Sequence, residues 1–282
     1  MIHKDAFTRK ISILVFFISF VLVLCLYSRQ LYAKPIVDEA FFFEPKNHIE
    51  VSTAYENLSP HDVYGNWKTV SLEFERKEAP DLTWFAGVDN FQRKSRNGFL
   101  GEVGVYKDWN DSFYTYTALS GGTSSDYLPK ARIDQELHFK FGSEKQYVWN
   151  VGGSYIKYFG DHRDNIISTG LTTYINKWSI GYQIFRNISN PGSVKSYSQE
   201  WSISYGKERQ QLTTLTYSYG NQAYLATEIS MPEAVDDKSN LVTLNHRHWL
   251  GIDHGYFAEV NRFNLKNGYR STGISFGIFS EF

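Results

Sequence analysis

The chain is 282 residues long, with 29 Lys+Arg against 30 Asp+Glu, 17% aromatic residues and one cysteine. This balance carries no basic excess for a nucleic-acid partner, and the lone cysteine excludes a disulfide framework. A mean hydropathy of −0.39 is too polar for a helical membrane protein.

In chain order, residues 1–33 read as a secretory signal peptide. Lys4, Arg9 and Lys10 form a basic start, an apolar run follows over residues 11–27, and Ala33 is the expected cleavage position. The alternative is an uncleaved anchor, because Leu31 is large for its place before the cleavage position and the run approaches the ~18 residues of a membrane span. Leu24 is too large for a lipidation box at Cys25, and cleavage removes that cysteine. Without Lys4, Arg9, Lys10, Arg29 and Asp5 the remainder holds 25 basic and 29 acidic residues, a net charge of −4. Residues 34–46 form a short leader whose apolar feature is Phe41-Phe42-Phe43. Residues 47–282 form one domain.

That domain alternates with a period of two, the signature of strands with unlike faces. Expected strands cover 48–56, 67–76, 82–93, 98–106, 112–121, 131–141, 147–158 and 165–175. Further ones begin at 178, cover 197–205, run from 212 to about 229, and cover 241–250, 255–263 and the closing stretch. The strand over 131–141 is the clearest. Ile133, Leu137, Phe139 and Phe141 lie on one face, interrupted by Gln135, and Arg132, Asp134, Glu136, His138 and Lys140 fill the other. Five ionisable residues on one strand face are incompatible with a dry core and fit a polar barrel interior. The closing stretch places Ile274, Phe276 and Ile278 on one face and ends on Phe282.

The spacers carry the same message. Those at 77–81, 107–111, 142–146, 176–177, 207–210 and 251–254 are short, and those at 59–66, 122–130, 187–195 and 230–240 are mostly longer. Short turns alternating with longer loops describe an all-β antiparallel transmembrane β-barrel of about fourteen strands, with twelve to sixteen as the bracket. Both termini then fall on the short-turn side.

Several stretches resemble the YaiO family of outer-membrane β-barrel proteins: Val105-Tyr106-Lys107-Asp108-Trp109-Asn110, Gln135-Glu136-Leu137, and Tyr155-Ile156-Lys157-Tyr158-Phe159-Gly160-Asp161. The order of strands through to Phe282 is similar as well, and the resemblance covers roughly residues 47–282. It implies a surface-exposed protein of the cell outer membrane, similar to accessory components of exopolysaccharide loci. Some family members carry a periplasmic helical-repeat extension, for which this chain has no room. The resemblance also implies that the terminal Phe282, with Ile278, Phe276 and Ile274, is the signal read by the outer-membrane assembly machinery.

No catalytic motif stands out, and no cofactor or metal is expected. Asp134, Glu136, Glu200, Glu102 and Glu73 could converge as the paired carboxylates of a glycoside hydrolase. The plainer reading is a polar network filling the lumen, made of Arg132, Asp134, Glu136, His138, Lys140, Glu200 and Glu73. Asp161-His162-Arg163-Asp164 lacks helical metal-site spacing and reads as a solvated turn. Glu233, Asp236 and Asp237 lack the ordered spacing of a calcium loop. Gly152-Gly153 reads as a bend in the wall rather than a phosphate cradle. Most aromatics read as interfacial girdles. The expected partners are the lipid bilayer, lipopolysaccharide, the assembly machinery and a polysaccharide. The expected function is a non-enzymatic accessory to exopolysaccharide export or surface organisation, with a small-solute channel and an outer-membrane hydrolase or lipid-modifying enzyme as alternatives.

Overall fold

The computed structural model describes residues 46–94, 96–123, 127–221 and 238–282. The expected signal peptide, nearly all of the expected leader, and Glu233, Asp236 and Asp237 lie outside the described residues. Among the described residues fourteen strands close into one antiparallel barrel, each paired with its sequence neighbours and the last with the first. They are β1 (Asn47–Ser59), β2 (Asn66–Ala79), β3 (Leu82–Arg93), β4 (Arg96–Asn110), β5 (Phe113–Gly122), β6 (Pro129–Phe141) and β7 (Tyr147–Tyr158). The second half is β8 (Arg163–Ile175), β9 (Trp178–Asn190), β10 (Val194–Lys207), β11 (Gln211–Asn221), β12 (Lys238–Trp249), β13 (His254–Leu265) and β14 (Arg270–Glu281). One short helix, α1 (His61–Tyr64), sits between β1 and β2. The seam runs from His48 opposite Glu281 to Ser59 opposite Arg270.

The strands are 10 to 15 residues long, and most exceed the ~9–11 needed to cross a bilayer. The excess shortens the loops relative to the sequence reading. The spacer expected at 187–195 shrinks to 191–193, because β9 continues to Asn190 and β10 starts at Val194. The third and fourth strands are joined by residues 94–95 alone. β11 ends at Asn221, and the rest of the long strand expected there lies outside the described residues. Loop length therefore alternates less than expected. The turn Asn176–Lys177 is held tight by Asn176 at φ 55, a left-handed conformation that asparagine tolerates.

The alternation of side chains is what makes this a membrane barrel. Outward rows are apolar and exposed, as with Val70, Leu72, Val103, Leu119, Ile133, Ile180 and Ile203. Every carboxylate in the interior of a strand sits on the opposite, inward row. The one polar break in the outward row of β6 is satisfied locally: Thr117 Oγ1 donates to Gln135 Oε1 at 2.8 Å, and Gln135 Nε2 donates to the Tyr116 carbonyl at 2.9 Å. A band of outward aromatic pairs marks the short-turn end, with Phe113 and Phe139 at 4.9 Å, Phe139 and Trp149 at 5.4 Å, and Trp178 and Tyr205 at 4.6 Å. Such girdles sit at the headgroup level.

Three clusters of buried apolar residues lie inside the opposite end. Leu58, Phe263, Leu265 and Tyr269 pack with Tyr64, Trp67 and Leu241. Phe91, Tyr127 and Leu128 pack with Leu100, and Ile156, Tyr158 and Ile166 with Phe185. Arg93 lies between the rings of Trp67 and Tyr127, 4.1 and 3.9 Å from their centroids, a cation–π sandwich that ties two of these clusters together. The end holding the termini and the tight turns is the periplasmic end in barrels of this kind, so the apolar clusters line the outer mouth.

Candidate functional site in the barrel lumen

The inward row of β6 lines a cavity of about 450 Å³ with residues of β4, β5, β7, β8 and β9. Arg132 grips Asp134 with two hydrogen bonds, Nε to Oδ2 at 2.6 Å and Nη2 to Oδ1 at 2.9 Å. This is the fork geometry that a guanidinium offers a carboxylate. Ser154 of β7 donates a further bond to Asp134 Oδ1 at 2.5 Å. One turn of pleat further on, His138 Nε2 lies 3.1 Å from Glu136 Oε2. Gly152 lies opposite Glu136, so the expected bend is a bare piece of wall beneath that carboxylate.

An aromatic platform faces this charged row. Tyr114 stacks on His138 at 4.3 Å and 5°, and Tyr106 leans on Tyr116 at 4.9 Å. Phe85 of β3 stacks on Tyr116 at 5.8 Å and 5°. The Phe85 ring lies flat over Gly104, where a Cβ would come within 2.3 Å of Phe85 Cζ. The glycine is thus a seat for the ring, an aromatic covering exposed backbone. Larger residues at position 104 would lift Phe85 off and tilt Tyr116.

The structure brings together Arg132, Asp134, Glu136 and His138. Lys140 sits beyond them, 3.5 Å from Asp108 and 4.7 Å from the Tyr114 ring centroid. Glu200 lies elsewhere, accepting a bond from Ser218 at 2.8 Å. Glu73 belongs to a second cavity of about 530 Å³ near the periplasmic end, shared with Glu50, Glu75, Arg247 and Glu281. Of the five carboxylates that could converge, Asp134 and Glu136 share this cavity, and Glu200 and Glu73 lie away from it. The loop run expected as a solvated turn is partly internal: Asp164 is fully buried, accepts from Asn187 Nδ2 at 3.1 Å and from Ser189, and has His162 at 3.5 Å. Among the described residues there is no group of three or more His, Cys, Asp or Glu able to hold a metal.

At the chain end, Ile274, Phe276 and Ile278 are 44%, 50% and 58% exposed on the outward face. The Phe282 carbonyl accepts from the Asn47 backbone at 2.8 Å and from Asn47 Nδ2 at 3.0 Å.

Sequence reasoning missed the contacts that cross between distant strands. Arg247 on β12 donates to Glu50 on β1 at 2.6 Å and lies 4.7 Å from the Phe279 ring. Trp249 Nε1 donates to Glu281 at 3.1 Å. Each partner is legible as an inward residue by parity, but the pairing depends on barrel closure. The platform of Tyr106, Tyr114 and Tyr116 was missed because inward and outward aromatics look alike until parity is assigned.

The Arg132–Asp134 fork predicts a stability effect. Asp134→Ala should lower stability by about 2–3 kcal/mol, because it leaves a guanidinium facing the lumen with its partner gone. The check is the temperature at which the folded band disappears on a semi-native gel, with Asp134→Asn intermediate and Lys140→Ala close to wild type.

The YaiO membrane beta barrel domain matches residues 46–225 of this chain. Among solved structures, the CymD monoaromatic hydrocarbon channel is similar with a TM-score of 0.58 at 6% identity, over 85% of this chain and 89% of that chain. A bacterial polysaccharide outer membrane secretin has a TM-score of 0.52 at 7% identity, over 84% and 99% of the two chains. An outer membrane protein of Acinetobacter baumannii has a TM-score of 0.52 at 8% identity, also over 84% and 99%. At such identities the likeness is one of fold. No curated protein matches the sequence.

Proposed function

The chain belongs to the YaiO membrane beta barrel family and is an outer-membrane β-barrel, and from that premise we propose that it binds saccharide in its lumen as a non-enzymatic accessory to exopolysaccharide export or surface organisation. The observation that supports this is the platform of Tyr106, Tyr114 and Tyr116 set against Arg132, Asp134, Glu136 and His138 in one cavity. Sugar rings present apolar C–H faces that lie on aromatic rings, and hydroxyls around the edge that bond to charged groups. A cavity with both along one wall suits that chemistry better than it suits a bare ion. In the same reading a cleaved signal delivers the chain to the periplasm, the assembly machinery engages the strand ending at Phe282, and lipopolysaccharide surrounds the outer half of the wall.

The test is titration of the purified barrel with oligosaccharides of the producing organism's exopolysaccharide, read by intrinsic fluorescence. Saturable quenching is expected, and Tyr116→Ala should weaken binding about tenfold, or ~1.4 kcal/mol. Absence of saturation with every oligosaccharide would sink the reading. Discrete conductance steps in a planar bilayer would favour the small-solute channel, and release of reducing ends or acyl groups would favour the hydrolase or lipid-modifying enzyme.

A further inference from the structure

We propose that the outward wall of β7 to β12, in its outer half, binds a phosphorylated glycolipid of the outer leaflet, with acyl chains in an apolar cleft and phosphates on a row of cations. This does not depend on the lumen binding saccharide.

The first observation is the cleft. It measures about 590 Å³ and is lined by Val151, Ile167, Ile184, Tyr197 and Tyr219 together with Arg186 and Lys238. Ile167 is 62% and Tyr197 57% exposed, so the cleft opens on the face that meets lipid. Acyl chains of the leaflet seated in this hollow would gain close contact with its apolar lining.

The second observation is charge. Register sets Arg186 between Ile167 and Tyr197, Lys195 opposite Ile188, and Arg163 opposite Lys157. Lys157, Arg163, Arg186, Lys195 and Lys238 are all exposed on this face. The described strands from β7 to β12 contain two carboxylates, Asp164 and Glu200, and both are inward and engaged with serines. Outside the strands, the sequence places Asp161 in the connection between β7 and β8, and Glu228, Glu233, Asp236 and Asp237 in the segment before Lys238. Cations gathered on strand faces that present no outward carboxylate to the membrane favour anionic headgroups.

The third point is span. Lys157, Arg163, Arg186 and Lys195 occupy four adjacent strands, which at a strand spacing of about 4.8 Å places the outer two about 14 Å apart. One phosphodiester cannot reach across that distance. A disaccharide phosphorylated at both ends, carrying several acyl chains, can. That chemistry is lipid A, the membrane anchor of lipopolysaccharide, and it lies in the leaflet that this end of the barrel meets.

The experiment is equilibrium binding of fluorescently labelled lipid A to the detergent-solubilised barrel, with dephosphorylated lipid A and phosphatidylglycerol as comparison probes. Wild type should bind lipid A saturably and the two comparison lipids at least about tenfold more weakly. The triple variant Arg186→Gln, Lys195→Gln, Lys238→Gln should lose that preference. The pair Arg262→Gln, Arg270→Gln, exposed cations on β13 and β14, should keep it. Each variant is first checked for the wild-type heat-dependent gel shift, and Arg186→Gln alone serves if the triple variant does not fold. Unchanged lipid A binding by the β9–β12 variants, equal loss in the β13–β14 pair, or equal binding of phosphatidylglycerol would overturn the proposal.

Discussion

Deletion of Phe282 is expected to leave most of the protein in the periplasm as a protease-sensitive species rather than in the outer membrane. The structure gives this expectation a physical basis at the seam. The Phe282 carbonyl accepts from the backbones of Lys46 and Asn47 at 3.2 and 2.8 Å, and its own N–H donates to the Asn47 carbonyl at 2.9 Å. Removing the residue deletes the last backbone exchange between the two ends of the sheet. It also removes a 54% exposed aromatic ring from the interface where such rings anchor. An open seam exposes unpaired backbone groups to lipid at several kcal/mol each, so partial closure is not a stable state. None of the lumen residues is touched. Membrane-inserted protein should be measured for wild type and the deletion at matched, low expression. Equal insertion with loss of saccharide binding alone would mean that the tail serves the ligand and not assembly.

The second large effect concerns the lipid face of β6. Leu137 lies between Thr115 on β5 and Val151 on β7, near the middle of its strand and on the outward row. Leu137→Arg should therefore cost roughly 1–3 kcal/mol, less than the full midplane cost of a cation because the girdle ring of Phe139 lies one pleat nearer the interface. Glu136→Leu, one residue away, points inward and exchanges a lumen carboxylate for an apolar side chain that still fits beside Gly152. It should fold and insert, and alter only the lumen. Urea-induced unfolding in lipid vesicles distinguishes the two. A Leu137→Arg protein as stable as wild type, alongside an unstable Glu136→Leu protein, would show the faces to be exchanged.

Much of the architecture is legible in the sequence because a barrel wall separates oil from water at every second residue. The charged row of β6 and the apolar row of β14 need no tertiary information: each is decided by parity and by the cost of a charge in lipid. The β9–β10 hairpin was harder to read. Asn187, Ser189, Ser196 and Ser198 look like loop residues, yet all four are buried on the inward face, where polar residues are ordinary. Polarity alone does not separate a loop from the lumen side of a strand. The candidate site was half legible. Arg132, Asp134, Glu136 and His138 belong to one strand and so had to share a face. The aromatics opposite them come from β3, β4 and β5, and their meeting depends on register, which a bulge at the end of β4, between Asp108 and Asn110, adjusts by one residue. Glu200 and Glu73 shared the right parity but sit on strands far around the ring.

The line where the chain's first and last strands meet is sewn from inside as well as bonded along the backbone. His48 lies 5.4 Å from the Phe279 ring and 3.7 Å from Glu281, both across the seam, and Arg247 reaches over two intervening strands to Glu50. A cylinder under sideways load parts where its hoop is weakest, and in a sheet closed only by its own ladder that place is the junction of the ends. Here a cation and an imidazole bridge the junction like sutures across a cut. Parting of the wall at this junction is therefore opposed twice, by the backbone ladder and by the side chains that cross it on the lumen side.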